Sequence, residues 1–314
     1  MALALADRPT ADEAGMIDDF TVHGRHILPD PVSADAAHDL LTQIRRTRQF
    51  DHSLFLSEAA FDADPQYTGV NPRPGRNLLD RLQARLGFVE DAPQIVSALS
   101  ALLGPDYEIL NRKIVCGVPA SAVPTWLKAR IEGAPVNNLG AFVHPDYRDI
   151  TYFYGIDFHQ DLIDYKDRDA DFVTLYVYLH EVTVHDAPLF LLEGSHRLGA
   201  TVFPHDLKRD EQGDWTYADG RGDRIKVQQR VLTGETGFAA IWHACTLHGT
   251  QPDAADHERI SLRYLFTKRA GTTVGIDRVN ASMPKPIRIA STRIDLDADG
   301  AAKITQNTIN QARD

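Results

Sequence analysis

Cysteine is nearly absent: Cys116 and Cys245 are the only two in 314 residues, far apart and in no CxxC pair. That scarcity excludes a disulfide framework or a zinc ribbon and is expected to leave two reduced core thiols. Long apolar runs are missing too, and none approaches the roughly 18 residues that a spanning helix needs. The opening MALALADRPTADEAG lacks both a basic start and a long apolar stretch. It is expected to be a mobile tail over 1–18, not a secretory leader, on a cytoplasmic protein. Positive charge is in deficit, with 33 Lys and Arg against 44 Asp and Glu and a net charge of −11. Arg45-Arg46 with Arg48 is the nearest approach to a basic run. Nucleic acid and anionic membrane are therefore excluded as partners, which leaves a small molecule as ligand and a monomer or homodimer as the expected state.

What is present is ordinary globular composition, with 43% hydrophobic and 25% charged residues. A chain of this length can bury one large core, so a single domain is expected over 19–285, followed by a C-terminal extension over 286–314. Asp19 to Pro29 suggests a strand-like entry. Ser33 then offers an N-cap to a helix carrying Ala37, Leu40, Leu41 and Ile44 on one face. A second helix is expected near Ala92 to Leu103, stopped by Gly104-Pro105. From there the pattern turns to β, starting at Tyr107–Val118. In DFVTLYVYL, Val173, Leu175, Val177 and Leu179 point one way, while Phe172, Thr174, Tyr176 and Tyr178 point the other. The first face is plain core, and the second is aromatic and hydroxylated, as a pocket wall is. Further strands are expected at Pro188–Glu193, Ile225–Leu232, Gly237–Trp242 and Arg259–Phe266. Helices followed by many short strands predict a mainly β jelly roll with its N-terminal helices packed outside, its core spanning about 107–270.

GIDFHQD places His159 and Asp161 two residues apart, so on extended backbone they share a face. Two imidazoles and one carboxylate bind a metal on one side only and leave positions open for co-substrate and dioxygen. His248, in WHACTLHGTQ, is the candidate third ligand, and the strands between bring the chain back to it. Eleven residues beyond His248 stands Arg259, in ERISLRYLF. A guanidinium fork suits a buried carboxylate, and Ser261 on the same face adds a hydroxyl. Arg263 shares that face but lies roughly 13 Å along the strand, so Arg259 is preferred.

FHQD, DFVTLYVYLHEVTVHDAPLFLLEGSHRLG and the later GETGFAAIWHACTLHGTQ with RISLRY resemble the phytanoyl-CoA dioxygenase-like branch of the iron(II)/2-oxoglutarate oxygenases. The resemblance is strong over 156–266 and covers only the helix-then-strand outline over 19–118. It implies a double-stranded β-helix of the cupin-like kind, ferrous iron on His159, Asp161 and His248, and 2-oxoglutarate held by Arg259. It also implies that 2-oxoglutarate is decarboxylated to succinate as O2 is activated. Thr174, Tyr176, Asn111 and Lys113 are further candidates for the co-substrate site. Two departures stand out: Glu193 replaces the usual proline before Gly194-Ser195-His196, and His185-Asp186-Ala187 replaces the usual Asn-Gly turn. About 40 residues separate the Tyr107–Val118 strand from His159, long enough to suggest a lid over 119–157. That segment carries Trp126, Asn137, Asn138, Phe142, Tyr152 and Tyr154, of which the two asparagines and two tyrosines are candidate substrate contacts. The expected reaction is hydroxylation of an unactivated C–H in a small polar molecule, an amino acid or natural-product intermediate. Desaturation, epoxidation or ring closure leave the same signature, as does a cupin-like metal enzyme or binding module that uses no 2-oxoglutarate until Arg259 is tested. Asp161 argues against halogenation, which needs a small residue there.

Overall fold

The computed structural model describes residues 11–63, 72–134, 136–165, 168–251 and 257–283. Its strands are β1 (Arg25–Leu28), β2 (Glu108–Gly117), β3 (Val136–Asn138), β4 (Thr151–His159), β5 (Phe172–Tyr178) and β6 (Leu189–Glu193), followed by β7 (Asp206–Arg209), β8 (Trp215–Ala218), β9 (Arg224–Leu232), β10 (Ala239–His243), β11 (His248–Thr250) and β12 (Arg259–Thr267). Neighbour order along the hydrogen-bonded path is β1-β10-β5-β12-β2-β4-β11-β6-β9-β8-β7, with β3 paired to β4. Two four-stranded layers emerge, β10-β5-β12-β2 and β4-β11-β6-β9, joined where β2 runs parallel to β4. This is the double-stranded β-helix, or jelly roll.

Strand alternation divides the apolar residues between two cores. Val173, Leu175 and Val177 of β5 face outward, into one cluster with Leu40, Leu41 and Ile44 of helix Ala34–Arg45 and with Ile95, Leu99 and Leu102 of helix Pro93–Leu103. Ser33 accepts a hydrogen bond from the Ala36 N–H at the start of the first helix, and Gly104 at φ 82° ends the second. Tyr176 and Tyr178 face inward, into a smaller cluster with Leu189, Leu191, Phe238 and Trp242 between the layers. The functional cavity opens into that interior.

Three expectations need correction. Asp19–Pro29 is not strand-like throughout: helix Ala11–His23 comes first, and only Arg25–Leu28 is strand. A boundary at residue 18 therefore cuts a helix. Ile17 and Phe20, a turn apart, are buried in the main core beside helices Pro93–Leu103 and Gly275–Ala281. The expected lid over 119–157 does not form as a unit: of its described residues, Phe153 and Ile156 on β4 line the cavity wall, and none of 119–150 does. Leu127, Ile131, Leu139 and Val143 pack into the main core, and Trp126 and Phe142 stack around Phe61. Residues 1–10 and the extension 286–314 lie outside the described residues.

Two substituted turn motifs keep their geometry by other means. Asp186 Oδ2 accepts from the Thr183 N–H at 2.7 Å and its hydroxyl at 2.6 Å, and Ala187 takes φ 48°, the left-handed turn that Asn-Gly would supply. Glu193 binds Arg25 at 2.8 Å and leads into Gly194 at φ 80°.

Three histidines buried away from the cavity set a pH dependence. Burial first, and for His196 the neighbouring His243 second, lower His196 to about 3; burial and then His248 lower His205 to about 3; burial lowers His243 to about 4. His196 Nδ1 and His205 Nε2 have no hydrogen-bond partner, so neither protonated ring would be satisfied. Between their folded values and the ordinary 6.5, each is neutral when folded and protonated when unfolded. Stability is thus greatest above about pH 6.5 and falls as pH drops toward 4. Denaturant titrations across this window should show unfolding accompanied by uptake of at least about three protons. Equal stability at pH 5 and pH 7 would contradict this.

Candidate metal centre and its cavity

The antiparallel pairing of β4 with β11 sets His159 opposite His248, with ring centroids 4.2 Å apart. Asp161 begins the short turn Asp161–Asp164 just after β4, with Oδ1 3.5 Å from His248 Nε2. One ligand atom from each of the three residues lies within 4.8 Å of the others. Each histidine has Nδ1 at 3.0 Å from the carbonyl two residues earlier, Asp157 for His159 and Thr246 for His248. A carbonyl only accepts, so Nδ1 carries the proton in both rings and Nε2 offers its lone pair inward. Burial, then His248, hold His159 well below its ordinary value, which keeps it neutral. For Asp161 burial opposes the charge, but Arg263 and His248 outweigh it and hold the carboxyl well below its usual range. Thr174 Oγ1 and Trp242 Nε1 both donate to Asp161 Oδ2, the latter at 3.1 Å, leaving Oδ1 turned toward the histidines. The backbone behind this set is tied down as well. Ser195 Oγ accepts from the Leu247 N–H at 2.8 Å, and Gln160 bridges the Gly199 and Cys245 carbonyls at 2.7 and 2.9 Å.

A cavity open to solvent adjoins the triad. Arg259 lies on its wall, 2% exposed, with its guanidinium 5.7 Å from the Tyr176 ring centroid. Its Nε and Nη1 have no partner, and neither do Ser261 Oγ or Tyr176 OH, all buried. Four buried polar atoms without partners, two of them on the guanidinium itself, are costly unless an anion with several acceptor sites completes them. A carboxylate does so. Room for the guanidinium comes from Gly117, directly opposite Arg259 on β2, where a Cβ would meet Arg259 Nε at 3.2 Å.

A model of the family described as phytanoyl-CoA dioxygenase (PhyH) matches residues 20–261. This chain belongs to the phytanoyl-CoA dioxygenase family. The family is one of iron(II)- and 2-oxoglutarate-dependent dioxygenases, and both groups fit the residues present: a two-histidine, one-carboxylate donor set, and an orphaned guanidinium for a diacid. A probable alpha-ketoglutarate-dependent hypophosphite dioxygenase of Stutzerimonas stutzeri is 30% identical over 115 residues, 35% of this chain. That match spans 38% of the relative's length. Among solved structures, the epimerase SnoN with Fe3+, alpha ketoglutarate and nogalamycin RO is 14% identical, covering 82% of this chain and 84% of that one at TM-score 0.48. EctD from S. alaskensis with 2-oxoglutarate and 5-hydroxyectoine is also 14% identical, covering 85% and 79% at TM-score 0.45.

The remaining candidates from the sequence divide. Lys113, like Tyr176, lines the cavity. Burial first and Arg263 second pull Lys113 down to about 7, opposed by Asp164 and Asp161. Thr174 faces the metal ligands and holds Asp161. Asn111 stands two residues from Lys113 on β2 but does not line the cavity. Tyr152 and Tyr154 are corrections: they lie on the face of β4 opposite Phe153, and Gly155 at φ 78° breaks the alternation beyond them, so that Phe153 and Ile156 line the cavity. Tyr152 is buried in the outer core with its hydroxyl 3.0 Å from Arg48, and Tyr154 packs against that same core. Asn138 turns its Oδ1 to the Gly140 N–H at 2.9 Å and lies outside the cavity lining, and the Asn137 side chain lies outside the described residues.

Two contributors went unread. Trp242 looks like plain core in sequence, yet its register opposite Thr174 brings the indole N–H to Asp161. Arg263 is bonded to Asp161 Oδ1 and is a cavity residue in its own right. Its place on the Arg259 and Ser261 face was the available signal; its reach back to the metal ligand was not.

Proposed function

We propose that this chain hydroxylates an unactivated C–H of a small polar molecule, an amino acid or natural-product intermediate, using iron(II), O2 and 2-oxoglutarate and releasing succinate and CO2. The observation that carries the reading is one cavity lined both by the His159–Asp161–His248 donor set and by Arg259 and Tyr176, whose Nε, Nη1 and OH are buried without partners. A cupin-like metal enzyme without a keto-diacid would need the first feature and would have no use for the second. When bound, iron(II) and 2-oxoglutarate would together supply the electrons that activate dioxygen, chemistry that is the cofactor's own.

What the chain contributes is geometry and a dry wall. His159 and His248 present Nε2 and Asp161 presents Oδ1, each oriented by the hydrogen bonds above. Arg259 grips the far carboxylate through its fork, and Ser261 and Tyr176 complete that grip by hydroxyl hydrogen bonds. Val115, Phe153, Ile156 and Leu189 line the cavity with apolar surface that excludes water from the reacting end.

The test is succinate release by the iron-loaded enzyme across a panel of amino acids and natural-product intermediates, with product masses recorded. The expected result is substrate-dependent succinate and a product heavier by one oxygen. A product lighter by two hydrogens assigns desaturation to the same site. Failure of the wild-type protein to bind 2-oxoglutarate would overturn the reading.

A further inference from the structure

Beyond Arg259, the cavity holds two more cations, and they sit beside the metal ligands. Arg263 on β12 stands opposite Lys113 on β2 in the strand register, and both side chains line the cavity. Lys113 is 5% exposed, and the Arg263 side chain is 13% exposed. The cavity's carboxylates are Asp161 and Asp164. With Lys113 protonated, as an anion beside it would favour, Lys113, Arg259 and Arg263 against those two acids leave one net positive charge. Ferrous iron and the 2-oxoglutarate dianion cancel one another, so the loaded site keeps that single positive charge. Moreover, the Asp161 oxygen that Arg263 holds is Oδ1, the one facing His248, since Oδ2 is taken by Thr174 and Trp242. A dication on Asp161 therefore draws away the charge that neutralises Arg263. A buried cation whose partner is drawn off is costly until another anion replaces it.

We propose that the substrate is a small molecule bearing one anionic oxygen group, held by Arg263 and Lys113 beside the metal position. The inference rests on the dioxygenase reading and adds to it the charge class of the substrate. It also places the substrate's anionic end. Arg259 lies four residues from Arg263 along β12, roughly 13 Å at strand spacing, so the two cations serve different carboxylates instead of sharing one.

The test uses the full chain loaded with zinc(II), which cannot turn over, and saturated with 2-oxoglutarate. Ligand-observed NMR titrations with acetate, methylphosphonate and the neutral acetamide read binding directly, and calorimetry reads 2-oxoglutarate affinity. The anions should bind at least about tenfold more tightly than acetamide. With zinc(II) kept saturating for each variant, Arg263→Gln and Lys113→Met should each weaken anion binding by about tenfold or more while 2-oxoglutarate affinity stays within about threefold of wild type. Preference for acetate assigns a carboxylate substrate, and preference for methylphosphonate assigns a phosphorus oxyanion. Three results overturn the proposal: acetamide binding as well as the anions, anion binding that survives both substitutions because the metal alone holds it, or loss of 2-oxoglutarate affinity in Arg263→Gln. A wild-type protein that takes up no 2-oxoglutarate overturns the dioxygenase reading instead, so the two failures are distinguishable.

Discussion

Arg259→Met should raise the stability of the free protein and at the same time destroy its affinity for 2-oxoglutarate. The two effects have opposite signs because one buried guanidinium is unsatisfied in the free chain and satisfied in the complex. Arg259 is 2% exposed with Nε and Nη1 unpartnered, and methionine fills much of its volume with no polar atom to bury. Replacing such a group by an apolar one is expected to stabilise by about 1–3 kcal/mol, less the loss of its contact with the Tyr176 ring. In the complex, losing one partner of a buried charge pair costs about 2–5 kcal/mol, a hundredfold or more in affinity near the middle of that range. Denaturant unfolding without ligand and calorimetric titration with 2-oxoglutarate check the two halves. If Arg259→Met is less stable than wild type and binds 2-oxoglutarate equally well, Arg259 is only a structural residue.

Asp161→Ala should be the more severe loss for the metal. It removes the sole carboxylate of the described three-residue ligand set and leaves Arg263, Thr174 and Trp242 without their shared acceptor. Removing an outer partner of a ligand costs about 10–100-fold in metal affinity, so removal of a ligand itself should exceed a hundredfold. Ferrous binding, followed by the visible charge-transfer band that forms with 2-oxoglutarate, should disappear together with succinate release. His159→Ala should behave alike at the metal but leave Asp161 paired with Arg263. The comparison separates the two costs: His159→Ala should retain more folding stability than Asp161→Ala. Retained succinate release in either variant would remove the triad from the chemistry.

Much of the cavity's location was legible because local patterns carry it. Strict alternation in DFVTLYVYL separates the helix-facing residues from Thr174 and Tyr176, and a period of two needs no knowledge of the partner strands. The turn substitutions at Asp186 and Glu193 were legible as departures. What replaced the missing residues, hydrogen bonds from Thr183 and an ion pair to Arg25, was not. Tyr152 and Tyr154 mislead because aromatic residues suit a core and a binding wall equally. Only the pairing of β4 with β2 and β11 shows which of its faces turns inward.

By itself, the sequence determined the chemistry available: an HxD pair, a distal histidine, an arginine and serine on one strand face, and a mainly β fold to carry them. Those are matters of residue type and short spacing, which the covalent chain holds without help. The tertiary structure decided who meets whom. It set His248 opposite His159, brought Trp242 and Thr174 onto Asp161, and turned Arg263 and Lys113 into the same cavity. Such meetings depend on register between strands distant in the chain, and register is set by the burial of whole faces, not by any single residue.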